Sequence, residues 1–178
     1  MKTNILLISE DYVKTNSALS DNYFGKWLTP AIVEAQDMGL QMIIGSCLYE
    51  KLLGLVADET IKDVENAAYK GLLDDYIQQY LLYKVLSNSV LYMNVKLANL
   101  GSHLSNDEHV INLTQGETDL LQNDFQNKAN FYQRRLQNYL KANCSTYPEL
   151  SCCSCDGIKP NLYSSESEGI FLGGRMGK

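Results

Sequence analysis

The chain has 178 residues, 45% of them hydrophobic, which is enough for one domain with a core and leaves little for a second. Its 15 Lys and Arg stand against 21 Asp and Glu, a net charge of -6, and the cations are scattered rather than gathered, which argues against a grip on nucleic-acid phosphates. No apolar run approaches a membrane span, and Ile5 to Ile8 is too short for a secretory h-region, so the expectation is a soluble protein made in a cytoplasm.

Residues 1–28 mix the apolar run Ile5 to Ile8 with Ser9-Glu10-Asp11 and Ser20-Asp21-Asn22 and read as an N-terminal arm, or a strand and loop, with a small share in the core. Thr29-Pro30 offers an N-cap followed by a proline at the first helical position. Leu28, Ile32, Ala35, Gly39 and Met42 then recur at helical spacing, and Gly45 supplies a left-handed stop. Cys47 to Val56 makes a second helix. Thr60 with Asp63 three residues on resembles a cap and opens a long helix running to about Ala98. Its stripe of Tyr69, Leu73, Tyr76, Tyr80, Tyr83 and Val90 is widened by Ile77, Leu81 and Val85, and a band that wide implies burial on more than one side.

Asn99-Leu100-Gly101 breaks the pattern, and His103 to Asn112, with the turn Ser105-Asn106-Asp107 before Val110-Ile111, reads as an extended loop or short β-hairpin. Thr114-Gln115-Gly116-Glu117 has capping-box spacing and opens a last helix with Leu121, Phe125, Ala129, Tyr132, Leu136 and Tyr139 on one face, ending near Asn143. The resulting expectation is a mainly α chain. A small bundle of about four helices spans 29–143, with extended arms over 1–28 and 144–178.

The 144–178 arm is rich in Cys, Ser and Gly and holds four of the five cysteines, Cys144, Cys152, Cys153 and Cys155. Four thiols can wrap a zinc ion, but adjacent Cys152 and Cys153 and the one-residue gap to Cys155 depart from the two-to-four-residue pairs of structural zinc sites. Tail thiols without a metal are therefore the expectation. His103 and His109 lack the orienting partner that a ligand or base needs. The terminal Gly173-Gly174-Arg175-Met176-Gly177-Lys178 fails as a phosphate loop, since Leu172 stands where glycine is required. Asp74-Asp75 and the Glu166, Glu168 pair read as a solvated face and tail. With no nucleophile, base and orienter set, no catalytic residue or cofactor is assigned and no enzyme is expected. The twelve tyrosines suit ordinary packing and, in part, subunit contact. Ile158, Leu162, Tyr163 and Ile170-Phe171-Leu172 look like isolated anchors along an extended peptide that binds a partner's grooves.

One known family shares this order of elements. Leu28-Thr29-Pro30-Ala31-Ile32 with Ala35-Gln36, Ile44-Gly45 through Leu48-Tyr49 and Leu52, and the series Tyr69, Leu72-Leu73, Tyr76-Ile77, Tyr80-Leu81 resemble the head-to-tail connector proteins of tailed bacteriophages. So do the Leu100-Gly101 break and the closing Ala129, Tyr132, Arg135-Leu136, Tyr139-Leu140 into Tyr147-Pro148-Glu149. The resemblance is in particular to the ring proteins of crAss-like phages, and it covers about residues 28 to 150. It implies a helical adaptor forming a dodecameric ring that is docked on the portal protein and adjoins other tail or connector rings. Such a ring belongs to the virion head-tail junction, is assembled in the bacterial host cytoplasm, touches no membrane, and lets duplex DNA pass through its lumen without specific binding. The competing expectation is a small helical regulatory protein with a zinc-binding cysteine tail.

Overall fold

The computed structural model describes residues 5–17, 25–98, 101–104, 114–151 and 156–162. They form a mainly α bundle in the order α1 (Glu10–Thr15), α2 (Gly25–Glu34), α3 (Gln41–Ile44), α4 (Ser46–Ala57), α5 (Ala67–Leu72), α6 (Gln78–Asn94), β1 (Val95–Ala98), β2 (Gly101–Leu104) and α7 (Gln115–Ala142). One π-helical stretch, Ala35–Leu40, joins α2 to α3, and another, Leu73–Ile77, joins α5 to α6. Each of these pairs is therefore one continuous rod with an extra residue wound into it. Helix α6 packs against both α2 and α7. That position explains the wide apolar band: Leu81, Leu82, Val85 and Leu86 are all buried, as are Tyr80 and Val90.

The first rod begins earlier than the Thr29-Pro30 signal indicates. Gly25 opens α2 and Pro30 sits inside it, while the Thr29 hydroxyl donates to the Glu10 carboxylate instead of capping. The winding also changes which residues face inward. Met42, expected on the core stripe with Leu28, Ile32 and Ala35, is exposed, and Ile43 and Ile44 take the buried positions after it. The π turn rotates the face, so a count at 3.6 residues per turn loses register across it. Gly39, inside that turn, permits the α2–α6 crossing. A Cβ there would stand 2.6 Å from the Tyr80 hydroxyl oxygen.

The N-terminal stretch does more than the composition of an arm suggests. Ser9 caps α1 by accepting from the Tyr12 N–H at 3.0 Å, and Leu7, Ile8 and Val13 are fully buried in the core. Buried Gln36 holds this segment to the first rod. Its Oε1 accepts from the Leu7 N–H at 2.7 Å and its Nε2 donates to the Ile5 carbonyl at 3.2 Å, so one amide side chain pairs with the backbone as a neighbouring strand would.

The long helix starts later than the Thr60, Asp63 spacing implies. Glu59 takes a left-handed φ of 58°, two 3-10 turns follow at Thr60–Lys62 and Val64–Asn66, and α5 begins only at Ala67. At its far end α6 stops at Asn94 rather than Ala98. The chain then turns into an antiparallel hairpin in which Val95 pairs with Leu104 and Ala98 with Gly101. The hairpin thus precedes most of the His103 to Asn112 stretch, whose residues 105–112 lie outside the described residues. Helix α7 follows the sequence closely. Thr114 accepts from the Glu117 N–H at 3.3 Å while its own N–H donates to the Glu117 carboxylate at 2.9 Å, a complete capping box.

A candidate assembly surface

Three features outside the bulk core place chemistry at the surface: a tyrosine seam, a C-terminal strap and two exposed apolar faces. The seam comes from seven-residue spacing of Tyr69, Tyr76 and Tyr83 on one rod and of Tyr132 and Tyr139 on α7, with Tyr147 from the turn beyond α7. Tyr69, Tyr76 and Tyr83 meet Tyr147, Tyr139 and Tyr132 in turn, with centroids 5.6 Å apart edge to face, 4.0 Å stacked and 5.3 Å stacked. The Tyr147 hydroxyl donates to the Ala68 carbonyl at 3.0 Å, which leaves its oxygen to accept from Tyr139 at 3.2 Å. Cations sit over the outer rings, with the Arg135 guanidinium 4.9 Å from the Tyr76 centroid and the Lys128 ammonium 5.9 Å from that of Tyr83. Tyr76, Tyr83, Tyr132 and Tyr139 are only half-buried, so the ladder shows an edge to solvent.

Burial raises the pKa of Tyr69, Tyr147 and Tyr12. Burial, then the hydrogen bond donated to Glu149 at 2.8 Å, raises Tyr69 to about 12. Burial, then the contact with Tyr139, raises Tyr147 well above the ordinary range. Tyr12, whose hydroxyl accepts from Gln79 at 3.2 Å, is also raised, by burial first and then by Asp74.

The strap, residues 156–162, closes over the break between α3 and α4. At the break Gly45 adopts φ 77° and ψ 159°, a combination reserved for glycine, rather than the left-handed stop that the sequence suggested. The break leaves orphan groups at two helix ends, and the strap satisfies them. Asn161 N–H donates to the Ile43 carbonyl at 3.0 Å, and the Ile158 carbonyl accepts from the Ser46 N–H at 3.3 Å. The Asp156 carboxylate accepts from the Ser46 hydroxyl and from Gln41 Nε2, which puts negative charge beside the first residues of α4, where the helix dipole favours it. Buried Gln137 on α7 donates to the Asn161 carbonyl at 2.7 Å.

Of the anchor residues read from the arm, Leu162 packs, half-buried, on this chain's own core, and half-buried Ile158 is tied to the bundle through its carbonyl on Ser46. Tyr163, Ile170, Phe171 and Leu172 lie outside the described residues, as do Cys152, Cys153 and Cys155. Cys144 is exposed and Cys47 half-buried. Among the described residues no group of three or more His, Cys, Asp or Glu is placed to hold a metal ion, and no helix is long and apolar enough to cross a membrane.

The two exposed faces escaped a reading built on core stripes. On the first rod Met38 is 73% and Met42 53% exposed, beside a depression of about 420 Å³ lined by Thr29, Pro30, Val33, Glu34, Asp37 and Met38. On α7 Leu120 is 72% and Phe131 63% exposed. These two lie eleven residues apart, three turns and roughly 16 Å along one stripe at 1.5 Å per residue, directly opposite buried Ala129. Had the apolar residues left over from each core face been counted as well, the α7 pair would have stood out.

This mainly helical bundle defines an architecture, and sequence comparison adds a family. Residues 40–158, well over half the chain, match the model of a family of unknown function, DUF6712, and the chain belongs to that family. No curated protein matches, and neither does any solved structure.

Proposed function

We propose that this protein is a structural subunit of an oligomeric ring at the head-tail junction of a tailed phage, docked on the portal protein and contributing to the channel through which duplex DNA passes. The observation that carries this reading is the distribution of exposed apolar groups. A chain with a well-filled core still presents Met38 and Met42 on one outer helix and Leu120 and Phe131 on another. Large apolar side chains gathered on outer faces mark contact surfaces. Half-buried tyrosines with arginine and lysine over their rings add the residue types that anchor protein interfaces. The resemblance to phage connectors gives the assembly its place in the virion, with the portal and neighbouring tail or connector rings as partners and no membrane. The net charge of -6 suits a passage through which DNA slides without being held.

The test is the mass of the purified protein, alone and mixed with the portal protein of the same phage, by light scattering or native mass spectrometry. A ring, formed alone or on the portal, is the expected result. A stable monomer or dimer that ignores the portal would overturn the reading, and so would nanomolar affinity of the assembled ring for duplex DNA at physiological salt.

A further inference from the structure

The two exposed faces differ in charge and shape in a way that makes them partners. The depression on the first rod has two carboxylates in its wall, Glu34 and Asp37, and no Lys or Arg among the residues lining it. The Asp37 carboxylate accepts from the Tyr49 hydroxyl at 2.5 Å, which fixes its position at the rim. The α7 face carries the opposite sign. From Phe125 to Ala142 the helix contains the exposed cations Lys128, Arg134, Arg135 and Lys141 and no acidic residue; Lys128 pairs back to Asp124 and Arg135 lies over the Tyr76 ring. Phe131 projects from the middle of that basic stretch, packed edge to face on Tyr132 at 5.2 Å, so its ring is presented in a fixed attitude.

The geometry points to a head-to-tail contact between copies, in which Phe131 of one copy enters the Thr29 to Met38 depression of the next. Arg134 then meets Glu34 and Asp37, and the Met38 and Met42 thioethers line the ring of Phe131, a contact that methionine makes well. The inference rests on the ring reading and names the surfaces that form its joint. Knob and socket lie on different elements, α7 and the first rod. Two different complementary patches give a heterologous interface, the kind that propagates from copy to copy and makes a ring where the rotation closes. The other arrangement open to the α7 stripe, two copies meeting antiparallel through α7 alone, would leave the socket empty and stop at a dimer.

The experiment compares the full chain with Phe131→Asp and Met38→Asp, each alone and mixed in equal amounts, by light scattering, and on the portal if the wild type assembles only there. Both residues are exposed, so circular dichroism and the urea midpoint should match wild type. Each variant alone should fall to the 20.0 kDa single chain. Mixed, they should form a dimer and nothing larger, because one retains only the knob and the other only the socket. Assembly unchanged in both variants would overturn this joint and leave the ring reading standing. A wild-type dimer lost with Phe131→Asp but kept with Met38→Asp would assign the contact to α7 pairing instead, and a wild type that stays monomeric even with the portal would overturn joint and ring together.

Discussion

At the scale of single residues, Gly45 shows how one position can hold two demands. Its φ of 77° with ψ of 159° excludes side chains on backbone grounds, and a Cβ would also stand 2.7 Å from Pro160 Cδ. Gly45→Ala should therefore lower stability by at least about 1–3 kcal/mol from backbone strain alone, read as a lower urea midpoint. Gly54→Ala is the control. Gly54 lies inside α4 with nothing within 4 Å of an added Cβ, and the change there should raise stability by about 0.5–1 kcal/mol. Tyr69 makes a second prediction. Its folded pKa of about 12 exceeds the unfolded value near 10, so between those pH values the unfolded chain has lost a proton that the folded chain keeps. Its stabilising contribution is complete below pH 10 and is lost as pH rises towards 12. Alkaline unfolding followed by tyrosinate absorbance should show this, and Tyr69→Phe should flatten the pH dependence in that window. An unchanged slope would mean that the Glu149 contact does not hold the phenol proton.

At the scale of elements, the rods owe their partnership to aromatic spacing. Tyr83 and Tyr132 stack at 5.3 Å with planes 9° apart, joining α6 to α7 across the seam. Such pairs contribute about 0.5–1.5 kcal/mol beyond the area they bury. A double-mutant cycle with Tyr83→Leu and Tyr132→Leu should return a coupling energy in that range, and a value near zero would reduce the seam to ordinary burial. The seven-residue spacing of Tyr69, Tyr76 and Tyr83 is plain in the sequence, as is the capping box that starts α7, because both depend on neighbours close along the chain. What the sequence concealed depends on events that break local periodicity. The π turn at Ala35–Leu40 moved Met42 from the expected core face to solvent, and the left-handed Glu59 delayed the long helix to Ala67. Leu7, Ile8 and Val13 looked like part of an arm because the partner that secures them, Gln36, lies almost thirty residues away.

At the scale of the whole molecule, the C-terminal segment closes the bundle. Residues 156–162 bridge the α3–α4 break and α7, and their hydrogen bonds to Ile43, Ser46 and Gln137 satisfy groups that would otherwise stay orphaned at helix ends or buried on a polar side chain. Three such bonds at about 0.5–1.5 kcal/mol each give a net contribution of roughly 1.5–4.5 kcal/mol, before the packing of Pro160 and Leu162 is counted. Truncation after Ser151 should thus lower the urea-extrapolated stability by at least that amount relative to a chain ending at Leu162. The difference matters for assembly. Gln137 and Ala129 belong to the same helix that carries Phe131, so the strap tethers α7 to the first rod and fixes the angle at which its outer face is presented. If the 1–151 chain proved as stable as the full one, the strap would be dispensable, and the orientation of α7 would have to come from its packing on α6 alone.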